Sequence, residues 1–208
     1  MVFRKNIVNL NIRNIFSFIL ISLFICSCSS KNYSKIKSHL ISLDDIKTIK
    51  LLASSYRVSS NEERNIQKDS EMYNFESRLR SSFIDWANKK FVLKGKVNSA
   101  YLHIEQAEIF LKGTSKNKGI KKLLYFEEKK TYVVRVHIVL NLNDDERNTS
   151  NLSIKSEIDF LVSDNTSIND RKRAFNKTIK KLILAVDKTL NENFKKKQFN
   201  KFFIENKP

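Results

Sequence analysis

The feature that most constrains the fold of this chain is a segment after position 131 in which every second residue is apolar. A repeat of two places the apolar side chains on one face of a β-strand and the polar ones on the other. The apolar residues are Tyr132, Val134, Val136, Ile138, Leu140 and Leu142. The alternation returns after the polar loop 143–151, at Leu152, Ile154, Ile158, Phe160 and Val162. Two such segments joined by a polar loop predict an antiparallel hairpin.

Two earlier segments also predict strands. In Asp45–Tyr56, the apolar residues Ile49, Leu51 and Ala53 occupy alternate positions. In Ser99–Lys112 the apolar positions change parity part-way, from Ala100, Leu102 and Ile104 to Ala107, Ile109 and Leu111. Because a shift of one residue turns every side chain to the other face, we predict a β-bulge near Glu105 and Gln106.

Two segments repeat their apolar residues every three or four positions, as amphipathic helices do. The first, Ser70–Lys90, has Asp69 or Ser70 as its N-cap, and we expect Lys90 to end the apolar stripe at the surface. Its stripe is Phe75, Leu79, Phe83 and Trp86. The second helix opens at Ser167, where Asp170 completes a variant of the capping box. Its stripe is Phe175, Ile179, Leu182, Ile183, Val186, Leu190 and Phe194.

Together these segments predict an α+β fold for residues 45–208, with the element order β-α-β-β-β-α. Strands with one apolar face and helices with one apolar stripe bury both surfaces when they pack as two layers. We therefore expect a four-stranded, mainly antiparallel sheet with both helices on one face.

The N-terminus has the pattern of an export signal. Residues 1–14 contain three basic residues and no acid, and residues 15–25 are apolar apart from two serines. Such a run is typical of a secretory signal and is shorter than the about 20 residues that span a bilayer. The segment Ile25–Ser30 resembles the lipobox of bacterial lipoprotein precursors, with Cys28 as the modified residue.

This resemblance implies a signal peptide over residues 1–27, acyl chains such as palmitate on Cys28, and a lipidated tether over residues 28–44. An uncleaved signal anchor and ordinary signal cleavage are the alternatives.

The positive charge of the chain is large and uneven. Lys and Arg number 39 against 22 Asp and Glu, and removal of 1–27 with its three basic residues leaves +14 (17 − 3). The segment 171–208 holds 12 basic and three acidic residues, and 112–130 holds seven Lys and two Glu. Export separates the chain from nucleic acid, so these patches predict contact with an anionic membrane surface or an envelope protein partner, a solvated helix face being the alternative. The candidate residues are Lys121, Lys122, Arg171, Lys172, Arg173, Lys177, Lys180 and Lys181.

Sequence motifs for catalysis or cofactor binding are missing. The chain has three Gly and no phosphate-binding glycine loop, no nucleophile motif and no His pair with the spacing of metal ligands. His103 and His137 are weak candidates for a metal site with Glu105, if the second and third strands pair about a centre near Ile120. We therefore expect a non-enzymatic protein without a cofactor. A metal-binding or enzymatic domain is the less favoured alternative.

Several short segments resemble a family of small envelope lipoproteins of alphaproteobacteria whose function is unknown. The strongest is the helix opening Ser167–Phe175, in which Asp170 departs from the family's Glu. The stretch 127–131 also departs from the family's pattern. The other matching positions are Trp86, Ala87, Gly119–Lys121, Tyr125, Phe126, Tyr132, Asp187 and Asn191.

The element order is also similar to that of the lipoprotein that plugs the lipopolysaccharide-assembly barrel of the outer membrane. These resemblances imply a membrane-anchored protein of the cell envelope, on the periplasmic face of the outer membrane. Ser29, which follows Cys28, suits outer-membrane sorting as it is known in related bacteria. An accessory subunit of an envelope transport complex, such as lipopolysaccharide assembly, is the alternative function.

Overall fold

A computed structural model of the chain describes residues 41–61, 70–116 and 128–204. The chain divides into two units, 1–40 and 41–208, and all of the described residues belong to the second unit. The signal peptide, Cys28 and most of the predicted tether lie outside the described residues. The elements are β1 (Ile49–Ser60), α1 (Glu71–Lys90), β2 (Phe91–Lys116), β3 (Glu128–Asn143), β4 (Thr149–Ser163), α2 (Ile168–Phe194) and a 3-10 helix η1 (Lys197–Phe202).

The four strands form one sheet in the order β1-β2-β3-β4. β1 runs parallel to β2, whereas β2–β3 and β3–β4 are antiparallel. The predicted α+β class, the element order and the mainly antiparallel sheet are therefore confirmed. The predicted hairpin is also present, and its turn is closed by the Asp144 carboxylate, which accepts a hydrogen bond from the Asn148 N–H at 2.7 Å.

One face of the sheet packs against both helices and forms the core. The predicted inward residues of β3 from Val134 to Leu142 are buried, and so are the stripes of both helices, except that Phe194 at the end of α2 is half-buried. Phe75 of α1 stacks on Phe175 of α2 with ring centroids 4.2 Å apart, so the two helices also contact each other. Each such side chain contributes about 1.5–3 kcal/mol through the apolar surface it removes from water. Within the described ranges, neither helix is both long and apolar enough to span a membrane.

The first two strands differ from their predicted bounds. β1 begins at Ile49 rather than Asp45 and continues to Ser60, while β2 begins at Phe91, directly after α1, rather than at Ser99. The extra half of β2 pairs in parallel with β1, from Ile49 opposite Phe91 onward. The sequence pattern missed it because the residues 94–97 break the alternation there.

The predicted bulge at Glu105–Gln106 is confirmed, since the register shifts between Ile104 and Gln106. One inward position of β2 was predicted wrongly: Leu111 is 48% exposed. β1 ends beside Ile104, so among the described residues this later part of β2 has no neighbouring strand on that side. There the buried Glu76 carboxylate of α1 accepts a hydrogen bond from the Ile109 N–H at 3.0 Å and takes the place of a strand.

Candidate anionic-surface interface

The start of α2 is fixed by Ser167, as the sequence predicts. Its hydroxyl accepts a hydrogen bond from the Asp170 N–H at 3.2 Å and donates one to the Asp170 carboxylate at 2.7 Å. An N-cap of this kind stabilises a helix by about 1 kcal/mol. Because the first residue of the helix is set, the direction of every later side chain around its axis is set as well.

The face of α2 opposite the core is a line of exposed basic side chains, which we call the basic stripe. Arg173, Lys177, Lys181 and Lys188 lie on it at spacings of four and seven residues, and all four are exposed. Leu184 lies between them and is 39% exposed. The stripe therefore presents positive charge around one apolar side chain.

Counter-charges along the basic stripe are few. Arg173 lies 3.7 Å from Asp170, and Lys188 lies 4.0 Å from Glu192, both in exposed pairs. Exposed pairs at such distances contribute little because water and salt screen them. Lys177 and Lys181 have no ion pair with any residue in the described ranges. The stripe thus has positive charge available for an anionic ligand.

The other predicted surface residues lie in different surroundings. Arg171 pairs with Glu71 at 3.1 Å and Lys180 pairs with Asp45 at 2.9 Å, so these two charges are used between elements of the domain. Lys172 is exposed in the first turn of α2, beside the stripe. Lys121 and Lys122 lie outside the described residues. The structure therefore brings Arg173, Lys177 and Lys181 together in one line.

The lysine-rich segment 112–130 is largely strand where it is described, in Lys112–Lys116 and Glu128–Lys130. Lys112 pairs with Asp159 at 2.6 Å, and Lys130 pairs with Asp164 at 2.9 Å. The hydrogen bond that each lysine donates to its carboxylate raises the pKa of that lysine. Both of these charges are thus balanced within the domain, unlike those of Lys177 and Lys181 of the basic stripe.

The predicted pairing of His103 with His137 is wrong. Val139 lies opposite His103, and Gln106 lies opposite His137, because the pairing beside the connection, Lys116 opposite Glu128, is centred two positions further along the chain than predicted. The two histidines lie on the face of the sheet away from the helices, each with its own partners. In the described ranges, no three His, Cys, Asp or Glu side chains group closely enough to hold a metal ion.

His103 has partners on both ring nitrogens. Its Nδ1 lies 2.6 Å from the Ser59 hydroxyl, and its Nε2 lies 3.0 Å from the Asn61 side-chain oxygen. Asn61 also donates from its side-chain nitrogen to the Glu105 carbonyl at 2.7 Å, which sets its oxygen toward the ring. His137 contacts the carboxylate of Glu105 through Nδ1 at 2.7 Å and the hydroxyl of Ser153 through Nε2 at 2.8 Å. These contacts join neighbouring strands.

Sequence reasoning missed a buried polar network at the end of α1. The prediction that Lys90 reaches the surface is wrong: its side chain is fully buried and lies 2.7 Å from Asp187. Asp187 also accepts hydrogen bonds from Trp86 at 3.0 Å and Asn191 at 2.9 Å. Burial lowers the pKa of Lys90, and the hydrogen bond with Asp187 opposes that shift. Trp86, Asp187 and Asn191 thus share one structural cluster with Lys90.

No model of a protein family and no curated protein matches the chain. Rare lipoprotein B from Shewanella oneidensis is 13% identical and covers 67% of this chain and 92% of its own, with a TM-score of 0.30. The minor lipoprotein from Acinetobacter baumannii is 10% identical over 67% and 93%, with a TM-score of 0.30. A "putative neuraminyllactose-binding hemagglutinin homolog" from Helicobacter pylori is 11% identical over 75% and 92%, with a TM-score of 0.38. Two of these three solved structures are of lipoproteins, but the TM-scores of all three are too low to support a function for this chain.

Proposed function

We propose that the chain is a lipid-anchored, non-enzymatic protein of the cell envelope that contacts an anionic membrane surface through the basic stripe of α2. The anchor is Cys28, and the location is the periplasmic face of the outer membrane. Support for the anchor comes from the basic N-terminus, the apolar run 15–25 and the lipobox-like segment Ile25–Ser30. Support for a non-enzymatic role comes from the missing nucleophile and glycine-loop motifs.

The observation that carries the proposed contact is the availability of Lys177 and Lys181, which have no ion pair within the described ranges. Each Lys near an anionic bilayer contributes about 1 kcal/mol, and the attraction decays within a Debye length of about 8 Å at physiological salt. From Arg173 to Lys188 the stripe is about 22 Å long at 1.5 Å per residue, so its charges reach several headgroups at once.

The anchor is tested by growing cells with labelled palmitate. We expect the wild-type chain to incorporate the label and Cys28→Ser to lose it, because the acyl chains require the Cys28 thiol. The matched control is Cys26→Ser, which leaves Cys28 in place and removes a residue of the predicted signal peptide. Incorporation that survives Cys28→Ser would contradict the anchor.

The surface contact is tested with the full-length lipidated protein in vesicles, using a fluorophore on Leu184→Cys and lipids that carry a quencher near the headgroup. We expect strong quenching in vesicles with phosphatidylglycerol and little in pure phosphatidylcholine. Lys177→Gln with Lys181→Gln should lower the quenching to the phosphatidylcholine level. Lys155→Glu is the control, since it changes the net charge equally from an exposed position on β4. An equal loss in both variants would show that only net charge matters and would contradict the stripe.

A further inference from the structure

An apolar cluster lies exposed where β2 begins, at the end of the sheet where the described chain enters. Val92, Leu93 and Val97 are 40%, 41% and 65% exposed, and Val97 is the most exposed of the large apolar side chains that the structure describes. Ile204, at 40% exposed, lies at the same end of the sheet on the other side of β1, where its N–H donates to the Lys50 carbonyl at 3.1 Å. Exposed apolar side chains gathered at one end of a sheet are a feature of contact sites.

This cluster is built on an insertion in β2. Leu51 lies opposite Leu93 and Ala53 opposite Asn98, so the four residues 94–97 face the single residue Leu52. The extra residues have no partners in the ladder and must project from the sheet. Their base is packed closely: a Cβ placed on Gly95 would lie 2.2 Å from the Leu52 carbonyl carbon. Val97 is therefore presented on a projection seated directly on the backbone of β1.

The charged residues in the segments of β1 and β2 that carry the cluster are all basic. Lys50, Lys94 and Lys96 are exposed beside it. The segments 46–61 and 86–104, which supply most of this surface, contain no Asp or Glu. We call the four apolar residues and these three lysines the β2 patch. Apolar side chains flanked by lysines suit the headgroup region of an anionic bilayer, where the apolar part inserts and the ammonium groups contact phosphates.

The β2 patch lies beside the segment through which the chain enters the domain. The Leu43 carbonyl accepts a hydrogen bond from Lys89 at 2.8 Å, and the Lys47 carbonyl accepts one from Lys90 at 2.9 Å. These lysines are the last residues of α1 and directly precede β2. Ile41, where the described chain begins, lies thirteen positions after Cys28 (41 − 28), and a chain of thirteen steps can span at most about 45 Å. A bilayer that carries Cys28 is thus within reach.

We infer that the β2 patch inserts into the headgroup region of the anionic bilayer that holds the protein, with Val97 entering it and Lys94 and Lys96 on lipid phosphates. The inference rests on the proposed anchor at Cys28. It adds a contact distinct from the basic stripe, namely an apolar one.

The test uses the full-length lipidated protein in vesicles of phosphatidylcholine and phosphatidylglycerol, with the fluorophore on Val97→Cys. Leu161→Cys on β4 is the matched control, because Leu161 is 64% exposed and Val97 is 65% exposed. We expect a blue shift and quenching by headgroup-level quencher lipids at position 97 and neither at 161. Lys94→Gln with Lys96→Gln should remove most of the quenching at 97. Spectra at 97 that match those at 161 would overturn the inference.

Two combinations of results distinguish a failure of this inference from a failure of the proposed function. In protein that carries palmitate, quenching of the fluorophore at position 184 without quenching at position 97 would overturn the insertion of the β2 patch. The proposed contact through the basic stripe would still stand. Quenching at 97 without quenching at 184 would support the patch and contradict the stripe. If no palmitate is incorporated, the anchor fails, and the patch fails with it.

Discussion

Lys90 lies at the end of α1, as the sequence predicts, but its side chain is buried rather than exposed. Its ammonium group donates to the Lys47 carbonyl and the Asn191 side chain and pairs with Asp187, so all three of its hydrogens have acceptors. Asp187 lies about a hundred residues away, so the spacing within α1 carries no sign of it. A lysine at the end of an apolar stripe usually reaches water, and only the tertiary fold replaces that water with a carboxylate.

We predict that Lys90→Met destabilises the fold by about 3–5 kcal/mol, because it leaves the Asp187 carboxylate buried without its cation. Lys90→Met combined with Asp187→Leu should recover much of that loss, since two apolar side chains remove the buried charges together. Lys89→Met is the control at the neighbouring position, where the side chain is 42% exposed and its pair with Asp44 contributes little. Urea unfolding measures all four proteins. A loss below about 1 kcal/mol for Lys90→Met would contradict the role of the network.

Among the elements, β3 and β4 were predictable because apolar residues recur at every second position over most of their length, whereas β2 was only half predictable. Its later part keeps a period of two on either side of the bulge at Glu105, so the bulge could be predicted. Its earlier part contains the insertion 94–97, which erases the period and with it the sign of a strand. The pairing of β2 with β3 starts from Lys116 opposite Glu128, and two bulges move the partner of His103 from Asn141 to Val139, still two residues from His137. The partner of a residue depends on where the two strands begin to pair and on every bulge in between, and the sequence does not show all of these features.

The basic surface of α2 was also predictable only in part. The period of α2 places Arg173, Lys177 and Lys181 on the solvent face, and the structure agrees. Nothing in the spacing shows that Arg171 pairs with Glu71 or that Lys180 pairs with Asp45, because both partners come from other parts of the chain. Helical periodicity predicts which face of a helix a charged side chain occupies. Whether that side chain forms an ion pair depends on residues that only the tertiary fold brings near.

At the insertion in β2 we predict that Gly95→Ala is strongly destabilising. A Cβ there would lie 2.2 Å from the Leu52 carbonyl carbon and 2.4 Å from the Ala53 nitrogen, and backbone atoms cannot move aside as side chains do. Overpacking costs about 1–3 kcal/mol where side chains give way, so we expect a loss at or above that range. Gly113→Ala, also in β2, is the control, because no atom lies within 4 Å of its added Cβ. Equal unfolding free energies for the two variants would contradict the close approach.

At the scale of the whole domain, the C-terminal segment closes the structure at the end where the chain enters. Phe199 and Phe202 of η1 are buried in the core, and Phe203 forms a bridge with Leu51 at the outer edge of β1. Phe203 also packs on Phe194 at the end of α2, with ring centroids 4.1 Å apart. The sequence pattern predicts no helix or strand for this segment, because six residues are too few to show a period.

Lys201 of η1 completes this closure by pairing with Asp144 in the turn between β3 and β4. The hydrogen bond from Lys201 lowers the pKa of Asp144 from its ordinary value of 3.8 to about 2, and hydrogen bonds from Asn148 act in the same direction. A carboxylate with a lowered pKa stabilises the folded state above the unfolded pKa, and that contribution is lost as the pH falls through the folded value. The attachment of η1 to the hairpin turn should therefore weaken between about pH 4 and pH 2.

We predict that Lys201→Met flattens the fall in stability over this range. Without the ammonium group, the pKa of Asp144 moves back toward 3.8, so less of the stability at neutral pH depends on its ionisation. Urea midpoints measured from about pH 5 to pH 2 should converge for the wild-type and Lys201→Met chains as the pH falls. Lys197→Met, an exposed position on the same 3-10 helix without an ion pair among the described residues, should keep the wild-type slope. Parallel curves for wild type and Lys201→Met would mean that Asp144 titrates alike with and without its partner, and that the closure does not depend on this pair.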